Sequence, residues 1–160
     1  MVDEKVLYEG KPSYKLFWSF SISWILIFIL VFLIFVLNPL IIAFSTGLTN
    51  TAWTILICYI LICAIILVYL LFLVKTYKYK ITDKGIYFSG GILTKREKFV
   101  PFFKVTNVDV LQTFIDQLLG ISKLGFQTAG QGAANMPEIT FRGLENPTKP
   151  KEIALKWLTK

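Results

Sequence analysis

Twice the chain runs through more than twenty positions without a charge. Residues 17–37, FWSFSISWILIFILVFLIFVL, are uncharged over 21 positions, and residues 52–74, AWTILICYILICAIILVYLLFLV, over 23. At 1.5 Å of rise per residue these runs predict helices about 31 and 34 Å long, enough to cross a hydrocarbon core of about 30 Å. As buried helices of a soluble domain they would need apolar partners on every side. The remaining ~85 residues are too polar to supply them, so both runs read as transmembrane helices. The first run exceeds the apolar stretch of a signal peptide, follows a segment holding Asp3, Glu4 and Glu9, and lacks a small-x-small cleavage site after it, so it is expected to remain as an anchor. Between the runs, NPLIIAFSTGLTNT (38–51) predicts a loop, with Ile41 to Phe44 able to prolong the first helix beyond a kink at Pro39.

After Val74 the period changes to two. In TYKYKIT (76–82), Tyr77, Tyr79 and Ile81 fall on one face and Thr76, Lys78, Lys80 and Thr82 on the other, the alternation of a half-buried strand. Asp83-Lys84-Gly85 predicts a turn, 86–89 a second strand, Gly90-Gly91 another turn and 93–100 a third strand, ended by Pro101. Further strands are expected at 104–111, 124–129 and 138–142. On the third strand, Arg96 and Lys98 are assigned the outward parity of Lys78 and Lys80, and Leu93 and Phe99 the inward one. TFIDQLLG (113–120) predicts a short amphipathic helix, with Thr113 and Asp116 in capping-box spacing, apolar pairs Phe114/Leu118 and Ile115/Leu119, and Gly120 as a stop. The closing TKPKEIALKWLTK carries Ile153, Ala154, Trp157 and Leu158 on one helical face and should cap the sheet.

Composition reinforces the first reading: the chain is 55% hydrophobic and 16% aromatic, high for a soluble protein of 160 residues. Charge sets the orientation. Lys5, Lys11 and Lys15 precede the first span and Lys75, Lys78 and Lys80 follow the second, while the connecting loop has no charge, so both termini are expected in the cytoplasm of a cell-membrane protein. Tyr14, Trp18, Trp53, Tyr69, Tyr77 and Tyr79 suit interfacial belts, whereas Trp24 and Tyr59 lie deeper and need packing or a polar partner. The implied organisation is an N-terminal cytoplasmic segment (1–16), a transmembrane hairpin (17–74) and a cytoplasmic domain (75–160). Of the net charge of +7, +1 falls on residues 1–75 (four lysines, three acids) and +6 on 76–160 (13 basic, seven acidic).

The stretch YKITDKGIYFSGGILTKREKFVPFFKVTNVDVLQTFIDQLLGISKLGFQTAG resembles the bacterial pleckstrin-homology-like (PH-like) domain of small two-helix membrane proteins. The likeness rests on Tyr-x-Ile-Thr-x-x-Gly-Ile, Gly-Gly-Ile-Leu at the hairpin, Val100-Pro101, Lys104-Val105-x-Asn107-Val108, Gln112, Leu119-Gly120 and Thr128-Ala129-Gly130. Upstream, Gly10-Lys11-Pro12-Ser13 before the first span resembles that family's start. Where members often carry an arginine in the short helix, this chain has Asp116-Gln117. The resemblance implies an α+β membrane protein: a two-helix transmembrane hairpin, then a PH-like antiparallel β-sheet or barrel closed by a C-terminal helix. It implies no established catalytic activity, and often a larger companion bearing several such domains.

The residues themselves offer little chemistry. There is no histidine, and the seven acids after Lys75 are scattered among turns and strand faces, so neither paired acid–base catalysis nor a metal site is expected, nor any cofactor. Cys58 and Cys63, five apart in the second span, read as small apolar packing residues. The loop AGQGAAN (129–135) lacks the Gly-Lys-Ser/Thr of a P-loop. Apart from Ser19, Ser21 and Ser23, the spans show nothing polar enough for a substrate pathway of their own. The leading expectation is a non-catalytic, membrane-anchored module whose basic cytoplasmic surface meets anionic lipid, with Lys75, Lys78, Lys80, Arg96 and Lys98 as the candidate contacts. A companion PH-like membrane protein or a second copy is the other partner expected, and nucleic acid is not. The alternative is an accessory subunit of a transport or export system.

Overall fold

The computed structural model describes residues 4–128 and 137–158. The loop 129–135, including Ala129 and Gly130 of the motif above, and Lys160 lie outside them. The chain divides into two compact units, Met1–Ser19 with Phe72–Lys160, and Phe20–Leu71.

Two helical stretches, Lys15–Ser45 and Thr49–Thr76, 31 and 28 residues long, are long and apolar enough to cross a membrane. The first is built from α1 (Lys15–Val31), a π-helical turn (Phe32–Val36) and α2 (Leu37–Ser45). Helical structure continues through Pro39, so the loop expected from residue 38 shrinks to 46–48. The π turn is the reason. A proline ring collides with the carbonyl four residues back and its nitrogen donates nothing, and a wider turn relieves both. Pro39 cannot donate to the Ile34 carbonyl in the π pattern, and Asn38 Nδ2 does so instead at 3.2 Å. Leu48 N–H donates to Ala43 O (2.8 Å) and Gly47 N–H to Phe44 O (3.3 Å), closing α2 in a Schellman motif. Within Phe20–Leu71, Val36, Leu40, Ala43 and Ala52 are buried against Phe32, Ile55, Leu56 and Tyr59. The Tyr59 hydroxyl donates to Phe28 O and the Trp24 ring lies 5.8 Å from that of Phe28, the partners these deeper aromatics needed. Cys58 is exposed and Cys63 half-buried, both free, so Cys58 is not packed by its own chain.

The other unit is an antiparallel α+β structure. One sheet has the order β1-β2-β3-β4, from β1 (Val6–Gly10), β2 (Lys78–Thr82), β3 (Gly85–Gly90) and β4 (Arg96–Pro101). A second has the order β5-β6-β7, from β5 (Val105–Leu111), β6 (Ser122–Thr128) and β7 (Ile139–Leu144). Strand β1 is an addition to the sequence reading: Val6–Gly10 pairs along β2, so the N-terminal segment belongs to the sheet. Conversely, Thr76 belongs to the second long helix, α3 (Thr49–Thr76), rather than to a strand. Its hydroxyl donates to Leu73 O (2.7 Å), and β2 starts only at Lys78.

Tyr79, Ile81, Ile86 and Val100 from the first sheet and Val108, Leu124, Phe126, Ile139 and Phe141 from the second share one core. The Tyr79 and Phe141 rings stack 4.6 Å apart, and the buried Tyr79 hydroxyl donates to Arg142 O (2.7 Å) and accepts from Arg142 N (2.9 Å), bonding β2 to β7. Burial pushes the Tyr79 hydroxyl far above its ordinary pKa, so it stays a donor. As expected, α5 (Thr148–Leu158) closes this core through buried Ala154, with Ile153, Trp157 and Leu158 packed against it; Trp157 stacks on Phe102 at 6.3 Å. The start of α1 is seated on β7. Gly143 has φ +72, and a Cβ there would lie 2.7 Å from Leu16 Cβ, so neither the backbone nor the space admits a side chain.

Candidate functional site

The candidate basic residues lie on or next to the first sheet, and the strand register decides which of them share a face. Across the outer face run two rows: Glu9, Lys80, Tyr87 and Phe99 in one, Lys78, Ser89 and Glu97 in the other. On the opposite face Tyr79, Phe88 and Lys98 are aligned, as are Ile81, Ile86 and Val100. The parity expected for β4 is therefore reversed. Phe99 stands outward with Lys80, while Lys98, and Arg96 opposite Gly90, take the parity of the buried Val100. The sequence count started at Leu93, but residues 91–95 form an irregular connection and the strand begins at Arg96. Lys98 remains exposed at the end of its side chain, and its Nζ donates to Glu138 O at 2.9 Å.

These rows line an open groove of about 350 Å³, bounded by Lys78, Lys80, Tyr87, Phe99, Glu9 and Glu97, with Lys98 at its margin. Its floor is aromatic. The Tyr87 and Phe99 rings stack with centroids 4.4 Å apart, and Lys80 Nζ lies 6.0 Å from the centre of the Tyr87 ring. The Tyr87 hydroxyl donates to the Glu4 carboxylate (3.0 and 3.1 Å), which also meets Lys84 Nζ at 3.5 Å. Burial, then the Glu4 hydrogen bond and charge, raise the Tyr87 pKa. The structure thus gathers Lys78, Lys80 and Lys98 around one groove. Arg96 is not among its lining residues, and Lys75 sits in the last turn of α3, its Nζ 5.9 Å from the Phe72 ring centre. Glu9 and Glu97 stand among the lysines, so the groove mixes signs and suits a zwitterionic or singly anionic group better than a polyanion. Among the described residues no group of three Cys, Asp or Glu could hold a metal ion.

A second polar cluster escaped the sequence reading. The helix α4 (Phe114–Leu119) has the expected capping box, with Thr113 and Asp116 bonded reciprocally, and ends at Gly120 in the left-handed region, φ +66. Yet Asp116 is completely buried. Its carboxylate accepts from Ser19 Oγ (2.8 Å), Thr113 Oγ1 (2.6 Å) and Lys123 Nζ (2.9 Å). Burial pushes this carboxyl's pKa up, but the hydrogen bonds from Thr113, Lys123 and Ser19, together with the Lys123 charge, outweigh it and hold the group below its ordinary value. With Asp116 inward, the opposite side of α4 is left outside: Phe114 is 81% and Leu118 74% exposed. The capping spacing marked Asp116 in the sequence; its partner Ser19, 97 positions away, carried no signal there.

A family model described as "Bacterial PH domain" matches residues 17–156. No curated protein and no solved structure matches the chain.

Proposed function

Because the chain belongs to the bacterial PH domain family, we propose that it is a non-catalytic, membrane-anchored PH-like module, with residues 17–74 as its transmembrane hairpin and both termini in the cytoplasm. Its sheet, including the strand from the N-terminal segment, presents a basic surface to anionic lipid headgroups. One observation carries this reading. Helix α3 runs unbroken to Thr76 and β2 starts at Lys78, so one residue separates a helix fit to span a bilayer from the strand bearing Lys78 and Lys80. Two residues of chain reach about 7 Å at most. On this reading Lys75 and Lys78 are held close to headgroup depth, with Lys80 two residues further along β2, and each lysine near the surface contributes roughly 1 kcal/mol of attraction to an anionic leaflet. Lys98 and Arg96, on the other parity, are the weaker members of the set.

The test is lipid selectivity of the full chain in phosphatidylcholine vesicles doped with spin-labelled phosphatidylglycerol or spin-labelled phosphatidylcholine. The immobilised fraction should be larger for the anionic lipid and shrink as salt rises from about 50 to 200 mM. It should fall further in the triple variant Lys75→Gln/Lys78→Gln/Lys80→Gln than in Arg96→Gln/Lys98→Gln. Equal immobilisation of the two lipids in the unaltered protein rejects the headgroup reading and turns the search to a companion protein.

A further inference from the structure

Among the described residues outside the long helices, four leucine or phenylalanine side chains are more than 70% exposed, Leu93, Phe103, Phe114 and Leu118, and hydrogen bonds tie the elements that carry three of them to the ends of those helices. Phe114 and Leu118 project from α4, whose Asp116 is bonded to Ser19, the fifth residue of α1. Leu93, 87% exposed, tops the β3–β4 connection, where Gly91 N–H donates to the hydroxyl of Thr76, the last residue of α3, at 2.9 Å. The fourth, Phe103, has no such tie. Leu111, 60% exposed, leads into α4.

The depth of Ser19 and Thr76 in a bilayer follows from helix length. At 1.5 Å per residue, helical stretches of 31 and 28 residues measure about 46 and 42 Å, some 12 to 16 Å more than a hydrocarbon core of about 30 Å. Their end turns therefore lie in the headgroup layer, where the exposed Trp18 and Tyr14 also belong. Elements bonded to Ser19 and to Thr76 sit at that same level.

We propose that Phe114 and Leu118 of α4, together with Leu93 of the β3–β4 connection, insert into the boundary between headgroups and acyl chains, so that the sheet rests on the membrane at two apolar points besides its covalent connections. Bilayer is the occupant that fits. A water-facing α4 would expose two large side chains for nothing, and the acid that could have been solvated is the residue turned inward. Interfacial segments of this kind bind through buried apolar area with cationic neighbours, and Lys95 and Arg96 come two and three residues after Leu93. The proposal rests on the reading that the two long helices span a membrane, but not on any preference for anionic lipid.

The test uses the full chain with Cys58→Ala and Cys63→Ala and one new cysteine at a time, Phe114→Cys, Leu118→Cys, Leu93→Cys or, as a control on α5, Glu152→Cys, each carrying a polarity-sensitive fluorophore. In neutral phosphatidylcholine vesicles at about 500 mM salt, where surface-charge attraction is screened, probes at 93, 114 and 118 should be blue-shifted, quenched several-fold more strongly by lipids nitroxide-labelled near the glycerol than the probe at 152, and nearly insensitive to iodide. Quenching by iodide with none by the nitroxide lipids overturns the proposal. Shielding from both quenchers overturns it too and marks a protein interface, with a second copy indicated where the shielding is lost at low protein-to-lipid ratio. Because these vesicles are neutral, insertion can succeed while selectivity for phosphatidylglycerol fails, and the reverse, so the two readings fall separately.

Discussion

Replacing Asp116 by alanine probes the best-defined polar cluster in the protein. The carboxylate is fully buried and Lys123 is 22% exposed, so the ion pair is shielded on one side only. Removing one member of a fully buried pair costs about 3–5 kcal/mol, because the other is left uncompensated. Here the Lys123 ammonium can turn to water, which lowers that figure to about 2 kcal/mol. Loss of the capping box adds about 1 kcal/mol, and the buried Ser19 hydroxyl loses an acceptor. The expected sum is about 3 kcal/mol. At roughly 4–8 °C per kcal/mol for a domain of this size, that is a fall in Tm of more than about 10 °C, read from near-ultraviolet circular dichroism of the chain in nanodiscs.

A double-mutant cycle with Lys123→Met should give a coupling energy above about 1 kcal/mol. The acid dependence has a defined sign. The folded pKa of Asp116 lies below its ordinary value of 3.8, so its contribution is fully present above the unfolded pKa of about 4 and is lost as pH falls through the lower, folded value. Between pH 5 and 8 the group should add no slope, and Asp116→Asn should flatten the destabilisation seen below pH 4. An Asp116→Ala protein that melts within a degree of the unaltered one, or a strictly additive cycle, would refute the reasoning.

Two other outcomes are expected. Tyr79→Phe removes the hydroxyl that bonds both Arg142 N–H and C=O, stranding two backbone groups between the sheets, and should cost about 1–3 kcal/mol with little change in shape; an unchanged melting temperature would mean that water reaches Arg142. For topology, Ser45→Cys in a chain otherwise free of cysteine should react with a membrane-impermeant maleimide added outside intact cells, while a reporter fused to the C-terminus should be active only in the cytoplasm; labelling of Ser45→Cys from the cytoplasmic side alone would reject the hairpin.

Where one strong local force acts, the sequence was readable. Two uncharged runs declare two long helices, and alternation around Tyr79 and Ile81 declares the strand and its buried face. It was misleading where non-local pairing decides. Val6–Gly10 is a strand only because β2 offers an edge, and five residues beside Gly10 and Pro12 carry too little pattern to show it. The alternation in 76–82 was read two residues too early, because helical bonding persists to Thr76 and β2 begins at Lys78. The loop 91–95 shifted the parity of β4 by one, moving Phe99 outward and Lys98 and Arg96 to the other face, since a one-residue slip exchanges every side chain across a sheet. That slip mattered for function: four basic residues expected on one face became two, interleaved with Glu9 and Glu97.

The short helix was legible in its extent, its capping box and its stop, but not in which side it buries. An apolar pair four apart, with an acid on the opposite side, reads as a surface helix with its apolar side on the core. The chain inverts it because burial is governed by where polar groups find partners. An unpaired carboxylate inside a protein costs several kcal/mol, whereas Asp116, given Ser19, Thr113 and Lys123, is satisfied there and fixes the rotation of α4. Phe114 and Leu118 must then face whatever lies outside. In water that orientation sacrifices about 1.5–3 kcal/mol per large apolar side chain relative to burial. At the edge of a bilayer that sacrifice shrinks, because acyl chains are themselves apolar, and this is why the outward turn of Phe114 and Leu118 supports the proposal that α4 rests on a membrane.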